Sequence, residues 1–211
     1  VGSDVHYVKP GDHVISCLSV FCGHCAHCTT GRPFICENPE TARAPEERPR
    51  LQQDGHPVHQ FYNLSSFAEY MLVHEHALVK IRPDMPLDRA ALIGCAVTTG
   101  VGAVTNTAQV EVGATIAVIG CGGIGLSAIN GAAISGAGRI IAIDLNDSKL
   151  DTARTFGATD TINAATTDPV EAIREMTGGG VAYSFEAIGR KQTTEQAFRM
   201  LATGGTATVI G

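Results

Sequence analysis

The strongest constraint on this chain is the stretch 114–149, ATIAVIGCGGIGLSAINGAAISGAGRIIAIDLNDSK. It begins with a β-branched apolar run, 114–119, of the kind a buried parallel strand requires. Gly120-x-Gly122-x-x-Gly125 follows at once, and a helical pattern of small residues runs on to Ser135. Gly136 and Gly138 break that pattern, a second apolar strand covers 139–143, and Asp144 closes it. Gly120 lets the strand turn tightly into the helix, Gly122 leaves room for a pyrophosphate against the backbone, and Gly125 lets helix and strand pack closely. The helix N-terminus, including Gly123 and Ile124, offers free N–H groups and the positive end of its dipole to phosphate. Asp144 can accept hydrogen bonds from both hydroxyls of an adenine ribose and repels a 2′-phosphate, which favours NAD over NADP. A Gly-rich turn alone is weak evidence. Strand, glycines, helix, second strand and terminal acid in this order supply the βαβ context a dinucleotide-binding unit needs.

The pattern then repeats. Strands are predicted at 114–119, 139–143, 160–162, 181–186 and 206–210, and helices at 123–135, 147–156, 168–176 and 191–202. Asp168-Pro169 has the N-cap and first-turn proline of a helix start, while Gly178-Gly179-Gly180 and Gly204-Gly205 read as helix stops. Such alternation makes an α/β, doubly wound parallel sheet. The chain stops right after the fifth strand, so a six-stranded dinucleotide fold would lack its last strand.

The first half has a different character. All eight His lie at or before His76 and five of the seven Cys at or before Cys36. Cys22-x2-Cys25-x2-Cys28-x7-Cys36 can wrap one tetrahedral Zn²⁺ closed to solvent, a structural site, with free thiols or disulfides as the competing reading. Zinc can supply local folding energy, on the order of 10 kcal/mol in small zinc peptides. Four Cys fill the shell, so His24 and His27 between them are expected as exposed loop residues. Thiols of this kind point to metal ligation in a reducing cytoplasm rather than a disulfide framework.

Lys9-Pro10-Gly11-Asp12-His13-Val14 reads as a turn entering a strand, part of a β-rich module whose earlier strands precede the chain. Residues 37–60, with Pro39, Pro45, Pro49 and several charges, read as a surface loop. Residues 67–73 and 77–81 regain strand character. His74 and His76 fall in a turn, with no third ligand at suitable spacing. Residues 84–109 read as helical with interruptions around Gly94-Cys95, and Cys95 alone reads as a buried small hydrophobe. Domains are expected at 1–90 and 91–211. The net charge of −6 and pI near 5.7 argue against a nucleic-acid face. No run of consecutive apolar residues reaches the length of a membrane span.

Together these residues resemble the medium-chain, zinc-dependent alcohol dehydrogenase family. The Lys9–Val14 turn, the four-Cys lobe, Gly94-Cys95 leading to Thr99-Gly100, the GxGxxG unit and Ser184-Phe185-Glu186-Ala187-Ile188-Gly189-Arg190 match along essentially the whole chain, nearest to class III-like bacterial members. The resemblance implies a partial GroES-like catalytic domain followed by a Rossmann domain, read as an internal piece of a longer enzyme. It makes Cys95 a ligand of the catalytic zinc, whose other ligands and proton relay lie upstream. Gly120, Gly122, Gly123, Ile124 and Gly125 would cradle the pyrophosphate, and Asp144 and Lys149 would hold the adenosine ribose. Thr99, Ile188, Gly189, Arg190, Ile210 and Gly211 would line the cofactor cleft. Leu18, Phe61 and Tyr62 would fall near the substrate pocket, though composition fits core packing equally well.

The implied chemistry is reversible oxidation of an alcohol to an aldehyde or ketone, zinc acting as Lewis acid and NAD taking the hydride. The implied partners are a small-molecule alcohol or aldehyde and further copies of the full-length protein, with no nucleic acid and no membrane. Glutathione-dependent formaldehyde dehydrogenases of this family carry an Arg four residues past the last lobe Cys. Glu40 stands there in this chain and would repel glutathione carboxylates. The piece 1–211 by itself is expected to be inactive. The alternative is a non-catalytic dinucleotide-binding or sensing module with a structural zinc lobe, and a zinc-ribbon module for nucleic acid is disfavoured by the acidic charge.

Overall fold

The computed structural model describes residues 1–41, 44 and 46–211, the side chain of Asn63 excepted. The chain forms two compact units, Val1–Gly94 and Cys95–Gly211.

In the first unit, strand β1 (Val14–Ser16) leads into the cysteine lobe, which holds the single-turn helix α1 (Ala26–Thr29). The expected turn precedes β1. The Asp12 N–H donates to the Lys9 carbonyl at 3.1 Å, and Gly11 supplies the positive φ of 90° that its third position needs. The expected loop 37–60 is exposed but not featureless: β2 (Leu51–Gln53) and β3 (His56–Val58) form a hairpin, while Pro45 lies outside the described residues. Its two-residue turn, Asp54-Gly55, has φ of 51° and 78°, both positive as a type I′ turn requires. The strand expected at 67–73 does not form. No described residue pairs with it, and a strand without a ladder partner leaves its N–H and C=O groups to water. Phe67 and Tyr70 there are fully exposed. The strand expected at 77–81 shortens to β4 (Leu78–Lys80), antiparallel to β1 with Ile15 opposite Val79. Lys80 Nζ reaches Asp12 at 2.9 Å and ties the turn to β4. Among the described residues of this unit only Ala77 and Ala90 are buried apolar side chains.

The helical run 87–107 is interrupted as expected. Helix α2 (Leu87–Ala90) and helix α3 (Thr98–Gly102) alternate with wider i→i+5 turns at Ile93–Val97 and Ala103–Thr107. This 21-residue stretch, which holds an 18-residue window of mean hydropathy 1.3, is long and apolar enough to cross a membrane by length and composition, which the lack of an unbroken apolar run did not register. One face of α3 is nevertheless committed to protein: buried Gly100 lies against the Ile124 carbonyl and Ser127.

The second unit is a five-stranded parallel sheet flanked by helices. Strands β5 (Thr115–Ile119), β6 (Arg139–Asp144), β7 (Asp160–Asn163), β8 (Val181–Glu186) and β9 (Leu201–Val209) alternate with α4 (Gly123–Ile134), α5 (Asp147–Thr155), α6 (Pro169–Thr177) and α7 (Lys191–Arg199). The strand order is β7-β6-β5-β8-β9, so the winding direction reverses between β5 and β8, where doubly wound sheets open a crevice at the strands' carboxyl ends. Both faces are buried, and alternate residues serve opposite layers. Ile116, Val118, Ile140 and Ala142 pack with Ala128 and Ile129 of α4, while Ala117, Ile119, Ile141 and Ile143 pack with Ile173 of α6 and Ala197 of α7.

Local signals hold at most ends. Asp168 accepts from the N–H groups of Val170 and Glu171, and Gly178 ends α6 with φ of 72°. One differs. Gly204-Gly205 does not stop α7, which already ends at Arg199, where the Arg174 guanidinium donates to the Arg199 carbonyl at 2.7 and 3.0 Å. Met200 is fully buried, its carbonyl accepts from Val181 N–H, and β9 starts at Leu201. The two glycines sit inside β9 in a bulge between the pairs Val181–Leu201 and Tyr183–Thr206, a place where glycine's freedom serves the strand.

Across the sheet edge, Arg139 makes a bidentate pair with Asp160 at 2.8 and 3.0 Å and donates to the Met176 carbonyl. The hydrogen-bonded guanidinium holds Asp160 at about 2, below its usual 3.8. A depressed carboxylate stabilises the fold above its unfolded pKa, and that contribution is lost as pH falls toward the folded value. Urea unfolding of wild type is therefore expected to weaken between pH 4 and pH 2, about the window these two values bracket, with Asp160→Asn less stable at pH 7 and flatter across that window. Parallel pH curves for the two proteins would contradict this.

Candidate functional site

Two places in the chain carry chemistry. The first is the turn from β5 into α4. Gly120 has φ of 95°, and a methyl group there would press on Ile188 and the Ala187 carbonyl. A methyl on Gly125 would collide with the Gly120 carbonyl oxygen. These two glycines are thus demanded by the protein's own packing. Gly122 is not: its φ of −84° suits any residue, and a methyl there would meet nothing within 4 Å. Gly123 has similar room, with only Ala96 Cβ near, at 3.6 Å. No side chain caps α4, so the first-turn N–H groups of Gly123, Ile124 and Gly125 have no capping partner, and Gly122 and Gly123 at its start are exposed. An open surface lined by uncapped N–H groups fits a pyrophosphate.

Asp144 stands beside this turn at the end of β6, its side chain 11% exposed. One carboxylate oxygen accepts from the Cys121 N–H at 2.8 Å and the other from Asn146 N–H at 3.1 Å. Lys149 Nζ lies 4.0 Å away. The carboxylate is therefore fixed next to the glycine turn, with lone pairs left for a ribose. Cys121 Sγ faces inward; burial, with the Asp144 charge, pushes this thiol up to about 12 and keeps it unreactive.

On the other side of β5, Ile188 and Gly189 follow β8, and Ile210 and Gly211 follow β9. Ile188 is 44% exposed, Thr99 and Arg190 are also exposed, and Gly189 has φ of 80°. Sequence reading gave no site role to Glu186, which the structure places fully buried beneath this loop.

The second place is the cysteine lobe. The Sγ atoms of Cys22, Cys25, Cys28 and Cys36 all lie within 4.8 Å of one another. Specific separations are 3.9 Å for Cys22–Cys28, 3.5 Å for Cys25–Cys28 and 3.9 Å for Cys25–Cys36. A tetrahedral zinc with Zn–S near 2.3 Å sets sulfurs about 3.8 Å apart, so the cage has the right size, and all four thiols are free. Backbone N–H groups aim at the sulfurs: Cys25 and His24 donate to Cys22 Sγ at 3.3 and 3.5 Å, and Cys22 donates to Cys36 Sγ at 3.4 Å. Burial pushes the Cys22 thiol up, but these donors and Asn38 outweigh it and bring it down to about 6; burial dominates at Cys28 and raises it to about 11. His24 and His27 take no part. His24 Nε2 meets Glu40 at 3.2 Å and His27 Nε2 meets Glu37 at 3.7 Å, both toward solvent.

Other candidates stand apart. Cys95 is exposed in the wide turn Ile93–Val97, which departs from the buried-hydrophobe reading. Among the described residues, no group of three or more metal-ligating side chains includes it. His74 and His76 are joined to each other and to Phe21, not to a metal group: His76 stacks on Phe21 at 4.8 Å, and its Nδ1 meets the Phe21 carbonyl at 2.7 Å. Leu18, Phe61 and Tyr62 are 45%, 72% and 60% exposed, so they are not core, and Phe61 meets Tyr62 edge to face.

Zinc content of protein purified without added metal is expected to be near one per chain, as one four-cysteine cage requires. Cys28→Ser should lose that zinc together with the local fold. Protein with no zinc and unchanged stability would refute the cage.

Residues 1–84 match the model of the alcohol dehydrogenase GroES-like domain and residues 123–211 that of the zinc-binding dehydrogenases. An S-(hydroxymethyl)glutathione dehydrogenase of Photobacterium damsela subsp. piscicida is 43% identical across all of this chain and 59% of its own length. A zinc-binding alcohol dehydrogenase domain protein of Burkholderia ambifaria superposes with a TM-score of 0.88 at 39% identity, and benzyl alcohol dehydrogenase of Acinetobacter calcoaceticus with 0.85 at 35%; each is covered over 58% of its chain and covers 100% of this one. The chain thus spans under two thirds of the relatives it matches. With its cysteine cage, its glycine turn and both family models in sequence order, the chain belongs to the zinc-dependent alcohol dehydrogenase family.

Proposed function

We propose that the whole protein carrying this chain is an NAD-dependent alcohol dehydrogenase, this chain contributing its structural metal lobe and nucleotide site. The carrying observation is the open Gly122 beside a fixed Asp144: a space the protein does not fill, edged by N–H donors on one side and a carboxylate on the other. NAD bound there supplies the hydride acceptor. The residues do the positioning. The N–H groups of Gly123, Ile124 and Gly125 hold the pyrophosphate, and Asp144, fixed by Cys121 N–H, takes the ribose hydroxyls with Lys149 beside it. Thr99, Ile188, Gly189, Arg190, Ile210 and Gly211 bound the cleft in this reading. Cys95 is the one residue of the chain assigned to the catalytic metal, and its exposure leaves it open to ligands from elsewhere in the protein. The domain division at 1–90 and 91–211, the reducing cytoplasm suited to the free thiols, and a homo-oligomeric, membrane-free protein that avoids nucleic acid complete the proposal.

For the alcohol, we propose a neutral one. Leu18, Phe61 and Tyr62 give apolar side chains for such a substrate, and the exposed Glu40 puts negative charge at the lobe, against a carboxylate-rich thiol adduct. The dehydrogenase relatives favour catalysis over a sensing module.

Assayed as the whole protein, benzyl alcohol or another primary alcohol is expected to be oxidised with NAD. NADP should be poorer by roughly tenfold or more, as like-charge repulsion at Asp144 demands, and Asp144→Ala should narrow that gap. S-(hydroxymethyl)glutathione should turn over more slowly than the neutral alcohol. Absence of NAD-dependent oxidation for every primary alcohol tried would sink the proposal.

A further inference from the structure

Neither His74 nor His76 joins the four-cysteine group, yet His76 reaches the lobe. Its Nδ1 lies 2.7 Å from the Phe21 carbonyl oxygen, and its ring stacks on Phe21 with centroids 4.8 Å apart and planes 11° apart. A carbonyl only accepts, so Nδ1 carries the proton and donates. Phe21 directly precedes Cys22. Its carbonyl and the Cys22 N–H therefore belong to one planar peptide group, and fixing the oxygen fixes the direction of the N–H. That N–H donates to Cys36 Sγ at 3.4 Å. The bond from His76 also polarises the peptide and makes its N–H a stronger donor to sulfur. The ring extends one residue further into the lobe. A Cβ on Gly23 would stand 3.9 Å from His76 Cε1, and the Gly23 N–H donates to the Cys28 sulfur.

His76 is itself held. Its N–H donates to His74 Nδ1 at 3.1 Å, and the Ala77 N–H donates to the His74 carbonyl at 2.9 Å. The Ala77 carbonyl accepts from Cys17 N–H at 2.7 Å, next to the pair Ser16–Leu78 that joins β1 to β4. The Glu75 carboxylate accepts from the N–H groups of His6 and Tyr7 at 3.3 and 3.1 Å. The ring thus projects from a braced turn onto the segment that enters the cage.

We infer that His76 is a positioning residue for the metal cage: it ligates no metal, and it holds the Phe21–Cys22 peptide so that its N–H stays on the Cys36 sulfur. The inference rests on the cage binding a metal. Its test uses the whole protein loaded with cobalt(II), whose thiolate-to-cobalt charge-transfer absorption reports the four-sulfur site, while a chelator competes for the metal. The difference from Cys28→Ser, which breaks the cage, isolates that band. His76→Phe keeps an aromatic ring on Phe21 and removes the donor. It should weaken cobalt binding at the cage about tenfold or more, the scale at which groups behind metal ligands act, and shift the band. His76→Asn offers the carbonyl an N–H without the ring and should recover most of the affinity. A residue serving only stability would lower the melting temperature and leave the cage's cobalt affinity and band unchanged in His76→Phe, and that result overturns the inference. Equal weakening by His76→Phe and His76→Asn overturns it too, since ring packing alone would then explain the loss. Should His76→Phe fail to fold, His76→Leu takes its place with the same expectation and the same overturning results. A wild-type protein that forms no four-thiolate cobalt band refutes the cage itself, a different outcome, and the inference falls with it.

Discussion

The contact on which the second unit depends is the close approach of α4 to the end of β5, where Gly125 sits against the Gly120 carbonyl oxygen. Only hydrogen on the Gly125 Cα permits that distance. It fixes where α4 starts, and so where its uncapped N–H groups point. Gly120, with its positive φ, lets the chain leave the strand at the angle this packing needs. The same turn brings Cys121 N–H to Asp144 and Gly120 under Ile188, so three strand ends are linked through it. Stability and binding divide cleanly among the glycines: two serve the fold, while Gly122 faces open space.

The first unit solves a different problem. Its strands are three residues long, and its described residues bury almost no apolar side chain. Within it, four converging sulfurs are a local source of order once a metal is bound. The backbone is arranged for this in advance, since N–H groups from Cys22, His24 and Cys25 already point at sulfurs. Those donors favour thiolate, the form that ligates.

Much of this was legible in the residues because the signals were local. The Gly120–Gly125 spacing, the Asp168-Pro169 start and the Gly178 stop act within a few residues, and the second unit's strands alternate sides as their apolar pattern implies. The cysteine spacing gave the cage. Misses arose where the deciding partner was distant. Residues 67–73 have strand composition but no ladder, and Gly204-Gly205 serve a bulge because Val181 draws Met200 and Leu201 into the sheet early. Glu186 looked like an ordinary strand end, since its donors come from the loop after it and only folding shows them converging. The hairpin at 51–58 was a local signal overlooked: Asp54-Gly55 is the dipeptide a type I′ turn favours, flanked by short extended runs.

The central claim is that the space above Gly122 belongs to a dinucleotide. The direct measurement is calorimetric titration of NADH into wild type and Gly122→Val, beside their thermal unfolding. A Cβ there meets no protein atom within 4 Å and the branched side chain would extend into the open space, so the account predicts an unchanged melting temperature with NADH binding abolished. A variant that binds NADH as wild type does would contradict it.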